Sequence, residues 1–184
     1  PLVILLGQIG PGRFARAALP AQLIAFSTQS SIASLPAMIA ASDGPLAVRE
    51  STRSIVLPLA ISLFRITSPP ANLGVALYVA AMNGVALGPV QIMLGVAVAA
   101  IVSLAAVGLP SQITFFTTTG PICLAMGVPV EALPLLLAVE TVPDIFRTVG
   151  NVTADMGVTR IIDRLGATPV GFNLREDTGK DDAN

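Results

Sequence analysis

The longest uncharged stretch of the chain decides what kind of fold it can adopt. Between Arg65 and Glu131 there is no aspartate, glutamate, lysine or arginine, and a second such stretch runs from Ala17 to Ser42. A helix that crosses a bilayer needs about 20 mostly apolar residues, so the longer stretch is sufficient for two or three crossings. Charged residues make up 11% of the chain, whereas soluble domains carry roughly 25%. The sequence therefore predicts an all-α, multi-pass integral membrane protein.

Composition also excludes several kinds of site. Histidine is absent and Cys123 is the only cysteine, which excludes the usual zinc ligands, a disulfide within the chain and a cysteine metal cluster. Ser30 and Ser31 have no histidine that would activate them as nucleophiles. The chain has a net charge of −1 and no basic run of the kind that binds nucleic acid. We therefore expect no enzyme active site, no cofactor and no nucleic-acid partner.

The basic residues divide the loops into two groups. Three loops contain arginine, whereas the loops near residues 88 and 128 contain neither arginine nor lysine. These residues favour the cytoplasmic side of a membrane, so the three basic loops are predicted inside and the other two outside. The segments 17–42 and 89–126 then each begin and end on the same side. The basic loops lie at residues 13–16, at 49–53 and beyond residue 160.

Each of these two segments has a polar or helix-breaking centre. Residues 27–31 lie in the middle of the first segment, and residues 108–112 in the middle of the second. Non-helical backbone at membrane depth is tolerated only where protein or a water-filled cavity surrounds it, and such breaks form substrate sites in secondary transporters. We therefore predict two re-entrant helical hairpins, at 13–43 and 88–127. Two ordinary helical hairpins with polar kinks are the alternative.

The rest of the chain divides around these hairpins. Pro69 and Pro70 remove two backbone donors and clash with the preceding turn, which predicts either an unwound segment near residues 66–70 or a plain proline kink. The tail is polar and predicted to be disordered. The remaining predicted segments are the end of a transmembrane helix with a loop (1–12), a broken transmembrane helix (44–87), a last amphipathic transmembrane helix (128–165) and a cytoplasmic tail (166–184).

One face of the last predicted helix is polar. Its residues follow one another at spacings of 4, 3, 4 and 4, which places them within about 80° of one another on a helix. Ionisable groups at membrane depth are costly and commonly mark a substrate or ion path. A guanidinium binds a carboxylate with two hydrogen bonds, so the stripe predicts a site for a zwitterionic acidic ligand. The alternative is a self-satisfied network in which Arg147 pairs with Asp144 or Glu140. This polar stripe consists of Glu140, Asp144, Arg147, Asn151 and Asp155.

Three segments resemble one known family. They are IAFSTQSSIASLP at 24–36, SLAAVGLPS at 103–111 and DIFRTVGNVTAD at 144–155, and the last is similar to the family motif D-x-x-R-T-x-x-N-V-x-x-D. In this order they resemble the C-terminal transport domain of the dicarboxylate/amino acid:cation symporter family. The resemblance implies symport of a small acidic substrate, either an acidic amino acid or a C4-dicarboxylate, across the lipid bilayer of the cell membrane (inner or plasma). It also implies a homotrimer formed through scaffold helices that precede this portion in the family.

The resemblance also implies roles for individual residues. Asp144 would bind the amino group of the substrate and Arg147 its side-chain carboxylate, and the second hairpin would act as the gate. Asn151 and Asp155 would belong to a cation site that binds sodium. The substrate-binding residues implied in this way are Ser30, Ser31, Val107, Gly108, Asp144, Arg147, Thr148 and Asn151.

One segment departs from the family pattern. After V-L-P-L the family carries N-M-D-G-T, which helps to bind sodium, whereas residues 64–68 here read F-R-I-T-S. Phe64 and Ile66 offer no side-chain oxygen. Arg65 adds a charge that needs a partner if it is buried, and Asp155 and Glu140 are the candidates. Alternatively, the Arg65 side chain snorkels and places its charge at an interface. The coupling ion, Na+ or H+, therefore stays open, as does sodium-independent symport. The alternative function is that of a non-transporting or truncated membrane paralogue that binds a small acid.

Overall fold

The computed structural model describes residues 2–105 and 111–166 of the chain. Within these residues the backbone forms nine helices and no strand, which confirms the predicted all-α class. Val107, Gly108 and the predicted disordered tail from residue 167 onward lie outside the described residues. The helices are α1 (Leu2–Leu6), α2 (Pro11–Thr28), α3 (Ser31–Asp43), α4 (Glu50–Leu63), α5 (Ser68–Met82), α6 (Pro89–Ala105), α7 (Ser111–Met126), α8 (Leu133–Leu137) and α9 (Thr141–Arg164).

A short break separates α2 from α3 at the polar centre of the first predicted hairpin. Gln29 adopts a left-handed backbone conformation with φ 52° and closes α2 by donating its N–H to the carbonyl of Ala25. Ser30 then begins α3, since its side-chain oxygen accepts a hydrogen bond from the N–H of Ala33 at 3.2 Å. A serine in this position satisfies one of the donors that a helix start leaves free. These two residues are enough to end one helix and begin the next.

The α4–α5 junction is an unwound segment rather than a plain proline kink. Residues 64–67 are not helical, and α5 begins at Ser68 with Pro69 and Pro70 in its first turn. A proline is tolerated there because the first N–H groups of a helix have no partner within the helix. The interruption that the sequence predicts is therefore present.

The last predicted transmembrane helix, 128–165, is interrupted. The helix α8 ends at Leu137 and α9 begins at Thr141, so the single helix expected from the sequence is two helices. Pro143 explains the difference, because a proline has no N–H to donate and its ring clashes with the carbonyl four residues earlier. Pro143 lies in the first turn of α9, where its missing N–H costs least, so it favours a helix start at Thr141 over a continuation of α8.

Two hydrophobic cores hold the helices together. In the first, α2 and α3 pack on each other and against α4 and α9, with Met38 and Met156 fully buried between them. In the second, α6 and α7 pack on each other and against α5, around Val79 and Phe115. Each helix pair therefore packs beside one half of the broken helix. The α4–α5 junction lies where the two cores meet.

The fold has an apolar surface and a partly polar interior. Large hydrophobic side chains are exposed on α2, α6 and α9, among them Leu23, Ile101 and Phe146, while ionisable side chains of α9 are buried. Lipid tolerates this arrangement, because it does not expel apolar side chains as water does. By length and apolar composition, the described residues contain one segment that could cross a membrane, Glu50–Met82, and a shorter apolar helix, Pro89–Ala105.

Arginine-bearing loops meet at one end of the fold. Arg13 donates from Nε to the carbonyl oxygen of Pro45 at 2.8 Å. Arg49 Nε pairs with Asp163 Oδ1 at 2.8 Å. These contacts bring the first, second and last basic loops together, as the charge pattern predicts for loops on the same side of a membrane.

Candidate functional site

The polar stripe of the last helix points into the fold. Each of its five residues is at most 7% exposed, whereas Val142 and Phe146 on the other face are 60% and 68% exposed. Buried ionisable side chains are stable only when other groups compensate their charge. The contacts of the stripe therefore decide what it can bind.

Arg147 is the centre of a buried hydrogen-bonding network. Its Nη1 donates to Asn72 Oδ1 at 2.7 Å, and its Nη2 pairs with Glu140. Asp144 Oδ1 lies farther from Nη2, at 3.6 Å. The self-satisfied network that the sequence allows is therefore present in part, with Glu140 as the direct ion-pair partner and Asp144 as the more distant one.

Two donors of this network have no partner among the described residues. Arg147 Nε and Asn72 Nδ2 are both buried and make no hydrogen bond there. A buried donor without a partner costs about 1–3 kcal/mol. Because Asn72 and Arg147 are already joined by a hydrogen bond, the two free donors belong to one site. Charge-assisted hydrogen bonds to a carboxylate are among the strongest that such donors form, so the network retains capacity for an anionic group.

Asn151 binds the unwound segment instead of pointing freely into the site. Its Oδ1 accepts the N–H of Thr67 at 3.0 Å and lies 2.8 Å from the Thr67 hydroxyl. The same hydroxyl lies 2.9 Å from the carbonyl oxygen of Arg147, and its single hydrogen is shared between these two acceptors. Gly150 permits the approach, because a Cβ at that position would lie 2.8 Å from Thr67 Cγ2. A glycine is therefore required where α9 meets the unwound segment.

Arg65 lies beside the stripe, in the same unwound segment. It is half-buried, and its charge interacts with those of Asp144 and Asp155 and of Arg147. Asp155 Oδ1 is buried and accepts no hydrogen bond from a described residue, so the Asp155 charge is compensated at a distance. A cavity of about 210 Å³ adjoins Arg65 and is lined by apolar side chains and by Ser103 of α6.

The structure brings together only part of the predicted set of site residues. Ser30 and Ser31 lie half-buried at the α2–α3 break, and within the described residues neither forms a hydrogen bond to α9. Thr148 is 5% exposed and follows Arg147 on α9. Val107 and Gly108 lie outside the described residues. The predicted residues that do share one buried region are Arg65, Asp144, Arg147, Thr148, Asn151 and Asp155.

Sequence reasoning missed Thr67 and Asn72 as parts of the site. Both lie in or beside the segment whose consecutive prolines dominate its sequence pattern. A signal was present, because Ser68 and Asn72 stand four residues apart in an otherwise apolar helix and therefore share one face. Ser68 and Asn72 are buried, at 4% and 1% exposure.

These features define a class of protein. A buried ionic stripe beside a helix break, inside a bundle whose outer surface is apolar, is typical of membrane transporters. The profile of the sodium:dicarboxylate symporter family matches residues 1–165. The chain belongs to this family.

Individual relatives agree with this assignment. The chain is 30% identical over 155 residues to human excitatory amino acid transporter 3, covering 84% of this chain and 29% of the relative. It is 31% identical over 145 residues to human neutral amino acid transporter A, covering 79% and 27%. With excitatory amino acid transporter 2 of Mus musculus it shares 30% identity over 135 residues, covering 73% and 23%. The chain thus spans less than a third of the length of these relatives.

Proposed function

We propose that the protein carries a small acid, an acidic amino acid or a C4-dicarboxylate, across the cell membrane by secondary active transport. One observation carries the proposal: Arg147 Nε and Asn72 Nδ2 are free donors within one buried network. A carboxylate of the ligand would accept from both donors. Membership of the sodium:dicarboxylate symporter family supports a carrier rather than an enzyme.

Asp144 would bind the ammonium group of an amino-acid ligand. It is buried at 7% exposure, and its Oδ1 lies 3.6 Å from Arg147 Nη2. A carboxylate in this position would accept hydrogen bonds from an ammonium group. The pair of Arg147 and Asp144 therefore favours a ligand with a carboxylate and an amino group over a plain dicarboxylate.

We propose that both helix pairs are re-entrant and that the second is the gate. The helices α2, α3, α6 and α7 contain 18, 13, 17 and 16 residues. At about 1.5 Å per residue they are roughly 20–27 Å long, which is less than the roughly 30 Å of a hydrocarbon core. Arms of this length support turns within the membrane. In this arrangement the arginine-bearing end faces the cytoplasm, and the complete protein is a homotrimer in the cell membrane.

Cysteine labelling tests this topology in intact cells. We expect single cysteines at positions 13, 49 and 160 to react with a membrane-impermeant maleimide only from the cytoplasmic side. A cysteine at position 131 is expected to react only from outside. The buried Cys123 is replaced by serine in all variants, and that variant alone is the unlabelled control. Labelling of position 131 from the cytoplasm would contradict the arrangement.

Transport itself is tested by uptake of labelled L-aspartate and succinate into proteoliposomes that contain the intact protein. Sodium and proton gradients are imposed separately, because the coupling cation is part of the proposal. The alternative, a paralogue that binds a small acid without transporting it, is favoured by Phe64 and Ile66, whose side chains offer no oxygen to a coupling ion. Binding without uptake under either gradient would favour that alternative.

Asp144→Asn is expected to separate the two ligand classes. Loss of the negative charge removes a charge-assisted hydrogen bond to the ammonium, worth about 1.5–3 kcal/mol, so the affinity for L-aspartate falls about tenfold or more. Succinate has no ammonium, and its affinity is expected to change much less. Isothermal titration calorimetry of both ligands measures the difference, with Asp43→Asn at the exposed polar end as the matched control. An equal loss for both ligands would mean that Asp144 does not bind the amino group.

A further inference from the structure

The unwound segment is held firmly against α9. Thr67 contacts α9 through its N–H, its hydroxyl and its methyl group, at Asn151, Arg147 and Gly150. Arg65 lies only two residues before Thr67 and cannot move far from α9 while these contacts persist. The backbone at Arg65 is therefore held beside the stripe.

Arg65 brings the charges of this buried region closest to balance, leaving one net negative charge. Among the described residues, the region contains three carboxylates, those of Glu140, Asp144 and Asp155, and two guanidiniums, those of Arg65 and Arg147. Arg147 pairs directly with Glu140 and more distantly with Asp144. Arg65 is the second cation, and its charge interacts with those of Asp144 and Asp155. Without Arg65, the single guanidinium of Arg147 would face three buried carboxylates, an imbalance that a low-dielectric interior does not tolerate.

The residues predicted from the resemblance to hold sodium fit that ion poorly. Sodium would here be a transported ion, bound between Asn151 and Asp155. An amide oxygen has two lone pairs, and those of Asn151 Oδ1 face the N–H and the hydroxyl of Thr67. A bound sodium ion would also lie close to the guanidinium of Arg65, which repels it.

We propose that Arg65 is a tethered replacement for a bound cation: it supplies the positive charge that the buried carboxylates require and thereby excludes sodium from the stripe. A covalently attached charge acts at a high effective concentration and cannot dissociate. Arg65 is thus a positioning residue that keeps the stripe ready to bind an acid in the absence of sodium. The exclusion of sodium rests on the occupied Asn151 oxygen and on the Arg65 charge, whereas its consequence for ligand binding rests on the proposed function.

The first test needs no substrate. The Tm of the intact protein is measured in lipid nanodiscs while sodium chloride replaces choline chloride at constant ionic strength. An ion that binds the folded state raises Tm, so the wild-type Tm is expected to stay constant. In Arg65→Met the carboxylates lose their cation, and we expect a lower Tm in choline that sodium raises by at least about 2 °C.

Two further variants separate charge from packing. Arg65→Lys keeps the charge, so its Tm is expected to be as insensitive to sodium as that of the wild type. Arg16→Met removes an exposed arginine and is expected to match the wild type in every condition. If Arg65→Met does not fold, the wild-type titration still decides, because a sodium-dependent rise in Tm there would overturn the proposal. A sodium-insensitive, folded Arg65→Met would overturn it as well.

The second test measures ligand binding. The dissociation constant of L-aspartate for the wild type is expected to change less than about threefold between about 1 and 100 mM sodium, since no sodium ion is linked to binding. In Arg65→Met it is expected to become sodium-dependent by about tenfold or more. Failure of all variants to bind L-aspartate or succinate would refute the proposed function but leave the Tm test intact. A steep sodium dependence in the wild type would overturn the role of Arg65 while the proposed function stands.

Discussion

Arg147→Ala is expected to abolish measurable binding of L-aspartate and succinate. The substitution removes the guanidinium whose free Nε is available to the ligand, and it leaves Glu140 buried without its ion-pair partner. Truncating one partner of a buried, hydrogen-bonded charge pair costs about 2–5 kcal/mol, which is about thirtyfold to several thousandfold in affinity. Calorimetric titration of the intact protein with each ligand measures the loss.

Arg147→Lys distinguishes the charge of this residue from its geometry. Lysine keeps the positive charge but cannot form the forked pair of hydrogen bonds that a guanidinium offers to a carboxylate. We expect the protein to stay folded, because Glu140 keeps a cation, and to lose most of its affinity. Arg16→Ala is the control for removal of an exposed arginine. Wild-type affinity in Arg147→Ala would show that the ligand binds elsewhere.

Gly150→Val is expected to destabilise the protein and to weaken ligand binding together. Even a single Cβ at this position would lie 2.8 Å from Thr67 Cγ2, and Thr67 is held in place by hydrogen bonds to Asn151 and to the Arg147 carbonyl. Overpacking of this kind typically costs about 1–3 kcal/mol, which corresponds to a fall in Tm of roughly 2–12 °C. Because displacement of Thr67 also releases Asn151, the affinity for L-aspartate should fall in the same variant.

Gly74→Val provides the matched control. Gly74 is a helical glycine of α5, and among the described residues no atom lies within 4 Å of a Cβ built there. The same loss of glycine and the same β-branched side chain should therefore leave both Tm and affinity close to wild type. If the two variants behaved alike, helix propensity rather than contact with Thr67 would explain the effect of Gly150→Val.

Features that depend on neighbouring residues were predicted well from the sequence. The interruption at residues 64–67 follows from two consecutive prolines, and the break between α2 and α3 falls within the polar centre at residues 27–31. The burial of Asp144, Arg147, Asn151 and Asp155 follows from the helical period, which gathers them on one face of α9. The break between α8 and α9 was missed, although Pro143 is a local signal of the same kind, because the polar stripe was read as one continuous helix.

The amino-acid sequence was sufficient for the membrane class and for the ionisable residues of the stripe, because hydropathy and charge are properties of the chain itself. The partners of those residues were decided by the tertiary structure alone. Asn72 is 75 residues from the Arg147 that it binds, and Thr67 is 84 residues from Asn151. Such pairs form only when α5 and α9 dock in one particular rotation. A helix rotates by about 100° per residue, so one residue of difference would have turned Asn72 away from Arg147.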